Sequence, residues 1–183
     1  MFAVASLLDT QSDQNTRDLW DYLLGHCGLL GILTTPIPHL TWQVAERYSD
    51  ETILQLERLS SVLSPVLVKV AGVGIFTGDN PVVHLSLVKD PRLMNTHQVI
   101  WNILSSYGHS INNHYSPDRW MPHITLAYRD VTRENILCAL EDLAFKSFEF
   151  EIRLNNLSMI FSEKVNGVAA QFQLRGSAKV STR

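Results

Sequence analysis

Pro38-His39-Leu40-Thr41-Trp42 and Pro122-His123-Ile124-Thr125-Leu126 are one pattern written twice in this chain of 183 residues. In a strand, residues i and i+2 point to the same face. His39 and Thr41 therefore share a face, with Leu40 and Trp42 behind them. His123 and Thr125 repeat this against Ile124 and Leu126. Each histidine opens the second strand of a strand–helix–strand–helix run, one over residues 2–63 and the other over 82–144. That repetition predicts two related halves. If they pack about a pseudo-twofold axis, two imidazoles and two hydroxyls meet across a cleft.

Outward from these motifs, Phe2–Leu8 reads as a buried strand, too short and wrongly flanked for a signal peptide. Leu19, Trp20, Leu23, Leu24 and Cys27 have helical spacing, with a cap at Ser12 or Asp13 and glycines at the end. A second helix from Ser49 or Asp50 turns Ile53, Leu56, Leu59 and Leu63 inward and stops before Pro65. Val66–Phe76 and Val82–Val88 are strands about a Gly78-Asp79-Asn80-Pro81 turn. Asp90 and Pro91 begin a helix running to Tyr107, followed by a polar loop over His109–Trp120. A fourth helix spans Thr132–Ala144. Three strands follow, the last two joined by a tight turn at Asn166-Gly167. The expectation is one α+β domain over residues 1–175, with a flexible tail at 176–183.

Composition narrows the function. A net charge of −3 opposes coating of long nucleic acid, which relies on many Lys and Arg contacts to phosphate. It leaves room for a pocket holding a single phosphate. No apolar run is long enough to span a membrane. Cys27 and Cys138 lack metal-type spacing and read as two buried thiols of a reducing cytoplasm.

Two imidazoles and two threonine hydroxyls suit phosphoryl transfer. A neutral imidazole takes a proton from the attacking oxygen, and a protonated one gives a proton to the leaving oxygen. Threonine hydroxyls donate to non-bridging phosphate oxygens. This chemistry calls for no metal or other cofactor. His84-Leu85-Ser86-Leu87 is a third, imperfect match without the proline, and reads as a strand-face histidine.

Paired His-x-Thr-x motifs in a duplicated α+β chain of this length resemble the two-histidine (2H) phosphoesterase superfamily. The likeness is to its 2′-5′ RNA ligase-like branch, which includes RNA 2′,3′-cyclic phosphodiesterases. Gly72-Val73-Gly74-Ile75-Phe76 and Arg119-Trp120-x-Pro122-His123-Ile124-Thr125-Leu126-Ala127 carry it further. The resemblance implies a bilobal fold: two pseudo-symmetric lobes, each an antiparallel sheet with helices packed outside, around a central cleft. It implies His39 and His123 as acid and base and Thr41 and Thr125 on the phosphate, acting on RNA ends or small cyclic-phosphate nucleotides.

Phe76, Trp120 and Trp42 are candidates to stack on a base, as are Tyr48, Tyr115 and Tyr128. Arg47 and Arg129, at strand ends, are candidates for phosphate, with Lys69 and Arg119 behind them. His97, His109 and His114 have no assigned role. Further expectations are a monomer, in the cytoplasm, with no membrane partner. The expected activity is opening of a 2′,3′-cyclic phosphate to a 2′-phosphate. The alternatives are 2′-5′ RNA ligase-type transesterification or 2′-5′ phosphodiester cleavage, and a nucleotide-binding module without turnover.

Overall fold

Two antiparallel sheets form the frame, in a computed structural model that describes residues 1–148, 150–161 and 167–176. In chain order the strands are β1 (Phe2–Leu7), β2 (His39–Tyr48), β3 (Val66–Phe76), β4 (Val82–Leu87), β5 (Gly108–Ile111), β6 (His123–Ala127), β7 (Glu151–Leu154), β8 (Asn156–Phe161) and β9 (Val168–Gln173). The helices are α1 (Thr10–Cys27), α2 (Glu51–Val62), α3 (Pro91–Leu104) and α4 (Asn135–Ala144). One sheet has the order β5-β2-β1-β8-β9 and the other β6-β4-β3-β7.

The duplication is visible in the pairing. β1 and β2 are antiparallel neighbours joined through α1, and β4 and β6 are antiparallel neighbours joined through α3. Asp9 caps α1 by accepting from Ser12 N, and Asp90 caps α3 by accepting from Arg92 N and Leu93 N. Gly28 ends α1 at φ 68°, a left-handed conformation that glycine adopts without strain.

The halves interlock. α1 connects strands of the first sheet yet lies against β6, β7 and α4. α3 connects strands of the second sheet yet lies against β2 and α2. Leu23, Leu40, Trp42, Leu56, Leu85, Ile100, Trp120 and Ile124 fill the space between, all fully buried.

Several expectations need correction. The segment after α3 is not only loop: Gly108–Ile111 adds an edge strand to β2, beyond its own half. Ile53 faces outward, because the buried positions of α2 are Thr52, Leu56, Leu59 and Ser60. The cysteines are joined as a disulfide, because the end of α1 packs beside α4 and brings their Cα atoms to 5.8 Å. Among the described residues no helix is long and apolar enough to cross a membrane. Asn166 and residues 177–183 lie outside the described residues, so the hairpin turn and most of the tail do too. Gly176 is held by a backbone hydrogen bond to Leu63 O.

Candidate active site

His39, Thr41, His123 and Thr125 line one cavity of about 720 Å³ between the sheets. Each histidine is fixed by its own chain. Nδ1 of His39 lies 2.6 Å from Ile37 O, and Nδ1 of His123 lies 2.7 Å from Met121 O, in each case the carbonyl two residues back. A carbonyl can only accept, so Nδ1 carries the hydrogen and Nε2 is left as the free nitrogen. The proline in each motif separates that carbonyl from its histidine.

Both motifs contain a β-bulge at the same place. Val4 and Ala5 of β1 pair with Gln43 and Thr41, leaving Trp42 as the extra residue. Val83 and His84 of β4 pair with Ala127 and Thr125, leaving Leu126. A bulge reverses the inward–outward alternation beyond it. Val44 and Tyr128, each five residues after its histidine, consequently face the cavity. Gln43 is turned to the other side, where it bonds Ser105 Oγ after α3.

The bulges explain why some expected site residues fall elsewhere. Arg47 shares the parity of Gln43 and does not line the cavity. Arg129 stands one residue past Tyr128, at φ 77°, with its guanidinium over the Tyr128 ring and also off the cavity. Trp42 is 1% exposed and donates to Ser6 Oγ at 2.8 Å. Trp120 touches the cavity, but its indole stacks on His97 at 3.9 Å and on Trp42 at 5.4 Å, leaving no open face for a base. Lys69 pairs with Glu151 away from the cleft, and Tyr48 bonds Gln43 behind the sheet.

Phe76, Tyr115 and Tyr128 do line the cavity. Arg119 is its one arginine among the described residues, and no carboxylate of the described residues lines it. That donor set favours an anion over a bare cation.

Sequence reading missed the groups that hold the motif strands from across the cleft. Trp20 Nε1 of α1 donates to Thr125 O at 2.9 Å. Trp120 Nε1 donates to Thr41 O at 3.0 Å, and His97 Nε2 of α3 donates to Trp42 O at 3.1 Å. At a bulge these carbonyls lack regular ladder partners, and the indoles and imidazole satisfy them. In sequence Trp20 reads only as apolar filling, His97 as helix surface, and Trp120 as a surface for a base, not as a clamp on the opposite strand.

Burial governs the ionisation of the site. Desolvation pushes the His39 imidazole below its ordinary value. It pushes His123 down to about 4, helped by the like charges of His84 and His39. His97, fully buried, is also pushed down to about 4 by desolvation. Unfolded histidines gain protons below about 6.5, whereas folded His97 and His123 resist until about 4 and His39 is shifted in the same direction. The unfolded state thus binds more protons in that window, and stability falls as pH drops through it. His97 alone accounts for about 3 kcal/mol when the window is fully crossed. Urea denaturation at pH 7, 5.5 and 4.5 checks this, and a midpoint constant across the series would contradict it.

Comparison with known proteins completes the picture. A sequence search of curated proteins finds no match. Among solved structures, TT0787 of Thermus thermophilus superposes with a TM-score of 0.65 at 19% identity, covering 97% of this chain and 99% of that one. E. coli LigT complexed with 3′-AMP gives 0.59 at 15% identity, covering 94% and 96%. A structure described as a phosphoesterase gives 0.59 at 13% identity, covering 94% and 97%. These likenesses show a shared fold. The model of the 2′-5′ RNA ligase superfamily matches residues 32–165, which include both motifs, and the chain belongs to that superfamily.

Proposed function

We propose that the chain is a phosphoesterase that opens 2′,3′-cyclic phosphates of RNA ends or nucleotides, leaving a 2′-phosphate. The observation that carries this reading is the matched pair of imidazoles in one cavity, each with Nδ1 fixed on a backbone carbonyl and Nε2 free. Two Nε2 atoms in one cavity can serve the attacking and leaving oxygens of an in-line displacement. Water loses its proton to one imidazole as its oxygen bonds to phosphorus. The bond from phosphorus to the departing sugar oxygen breaks, and that oxygen takes a proton from the other imidazole. Thr41 and Thr125, one position inward on the same faces, donate to the non-bridging oxygens. Arg119 adds positive charge at the cavity wall. Phe76 offers its half-buried ring as a surface for a base. A relative of the same fold, LigT, was solved with 3′-AMP, which supports a nucleotide as the class of ligand.

The test is hydrolysis of the four nucleoside 2′,3′-cyclic monophosphates in the presence of EDTA, with phosphorus NMR to locate the product phosphate. Turnover in chelator yielding 2′-phosphates is expected, with a bell-shaped dependence of rate on pH. Absence of turnover on all four, or activity that returns only with added divalent metal, would reject the proposal.

A further inference from the structure

Each motif histidine leans on the carbonyl two residues before it, so the segment that delivers this carbonyl has to be held in place. Before His123 the hold comes from a neighbour of Met121. Trp120 is buried and donates to Thr41 O in the first motif. Before His39 the chain runs through Leu29–Pro38, which lies outside both sheets and contains no aromatic residue. Its anchor is a carboxylate from the other half.

Asp130 stands three residues past Ala127, the end of β6. Its Oδ2 accepts from Leu30 N and, at 2.8 Å, from Gly31 N. The turn that brings it there passes through Arg129 at φ 77°, a left-handed conformation uncommon for such a residue. Asn135 Nδ2 of α4 donates to Asp130 O at 2.8 Å and fixes the far side of that turn. The two chains cross in contact. A Cβ at Gly31 would strike the backbone oxygen of Tyr128, so only glycine passes here.

From this crossing a run of hydrogen bonds leads to the imidazole. Leu30 and Gly31 open a 3₁₀ turn over Gly31–Thr34. Thr35 N donates to Ile32 O at 3.0 Å, and Ile37 N donates to Thr35 O at 2.8 Å. Ile37 O then receives His39 Nδ1–H. From the other side Arg17, paired with Asp13, donates to Pro36 O at 3.2 Å. Ile32 and Thr35 of the same segment line the cavity.

We propose that Asp130 is a positioning residue for His39. A carboxylate at the end of the second motif strand sets the carbonyl that orients the first imidazole, and Trp120 before the second motif clamps the first motif in return. Each motif thus holds the other. The consequence for rate rests on the use of His39 proposed above, while the consequence for the ring does not.

The test is nitrogen-15 NMR of the histidine rings at about pH 8, where imidazoles are neutral, together with turnover of a 2′,3′-cyclic nucleotide. Wild type should show His39 and His123 both with the hydrogen on Nδ1. Asp130→Asn keeps an acceptor oxygen at the same place and should retain that pattern. In Asp130→Ala the His39 signals should move to a mixture of tautomers while those of His123 stay, and kcat/KM should fall about 10–100-fold. A merely structural role for Asp130 would disturb His123 first, since that ring stands on Asp130's own strand. Gly31→Ala forces the same crossing apart with the carboxylate intact and should also disturb His39 alone, which covers the case of an unfolded Asp130→Ala. An unmoved His39 ring in the folded variants, or equal disturbance of both rings, overturns the assignment. If wild type turns over no cyclic nucleotide, the proposed activity falls by itself, and the ring signals still decide the role of Asp130.

Discussion

Replacing His39 or His123 by alanine should lower turnover of a cyclic phosphate by about 10²–10⁴-fold, the loss typical of acid–base groups. The two losses should not add. Once one imidazole is gone the concerted transfer is broken, so the double variant should fall only modestly below the worse single one. Neither change should unfold the protein, because both rings face a cavity and stand outside the buried core. Steady-state rates of the three variants, paired with thermal melting curves, give the answer. A His39→Ala enzyme within about threefold of wild type would remove this residue from the chemistry.

Reducing the disulfide should have the largest effect on stability. Cys27 and Cys138 are separated by 111 residues, so the bridge forbids a large set of unfolded conformations. On the chain-entropy view a loop of this size contributes about 4–5 kcal/mol, and native bridges typically give about 2–5. At about 2–4 °C per kcal/mol for a chain of this length, the melting temperature should fall by roughly 10 °C. Differential scanning calorimetry of the oxidised protein, the dithiothreitol-treated protein and Cys27→Ser/Cys138→Ser checks this. Identical melting in all three would show that the bridge contributes nothing. In sequence these two read as separate thiols, since nothing in their spacing signals that two helices from different repeats lie side by side.

The motifs are legible because they depend on local rules. A two-residue period places His39 with Thr41, and His123 with Thr125, whatever lies around them. Asp90-Pro91 and the turn at Gly78–Pro81 are readable for the same reason. What escapes depends on partners distant in the chain. The bulges at Trp42 and Leu126 exist only relative to β1 and β4, so the strand sequence alone sends Arg47 and Arg129 toward the phosphate. β5 is a short edge strand with Ser110 at φ 52°, and an edge position does not impose apolar alternation. The indole of Trp20 reaches Thr125 because α1 crosses to the other half, a choice of packing that helical periodicity does not encode. His84 carries a visible signal, a His-x-Ser variant of the His-x-Thr motif, but its place opposite Thr125 exists only through the pairing of β4 with β6.

The exchange of helices between the halves has a consequence for how a substrate gets in. Two lobes hung on a single hinge could gape and shut like a jaw. Here α1 crosses one way, α3 and β5 cross the other, and three hydrogen bonds from Trp20, Trp120 and His97 pin both motif strands. Separating the walls would break all of these together. The mouth therefore keeps a fixed gape, and a ligand is sieved by size at the rim. Its binding involves little closure of the protein, so association should be fast and nearly insensitive to solvent viscosity beyond simple diffusion.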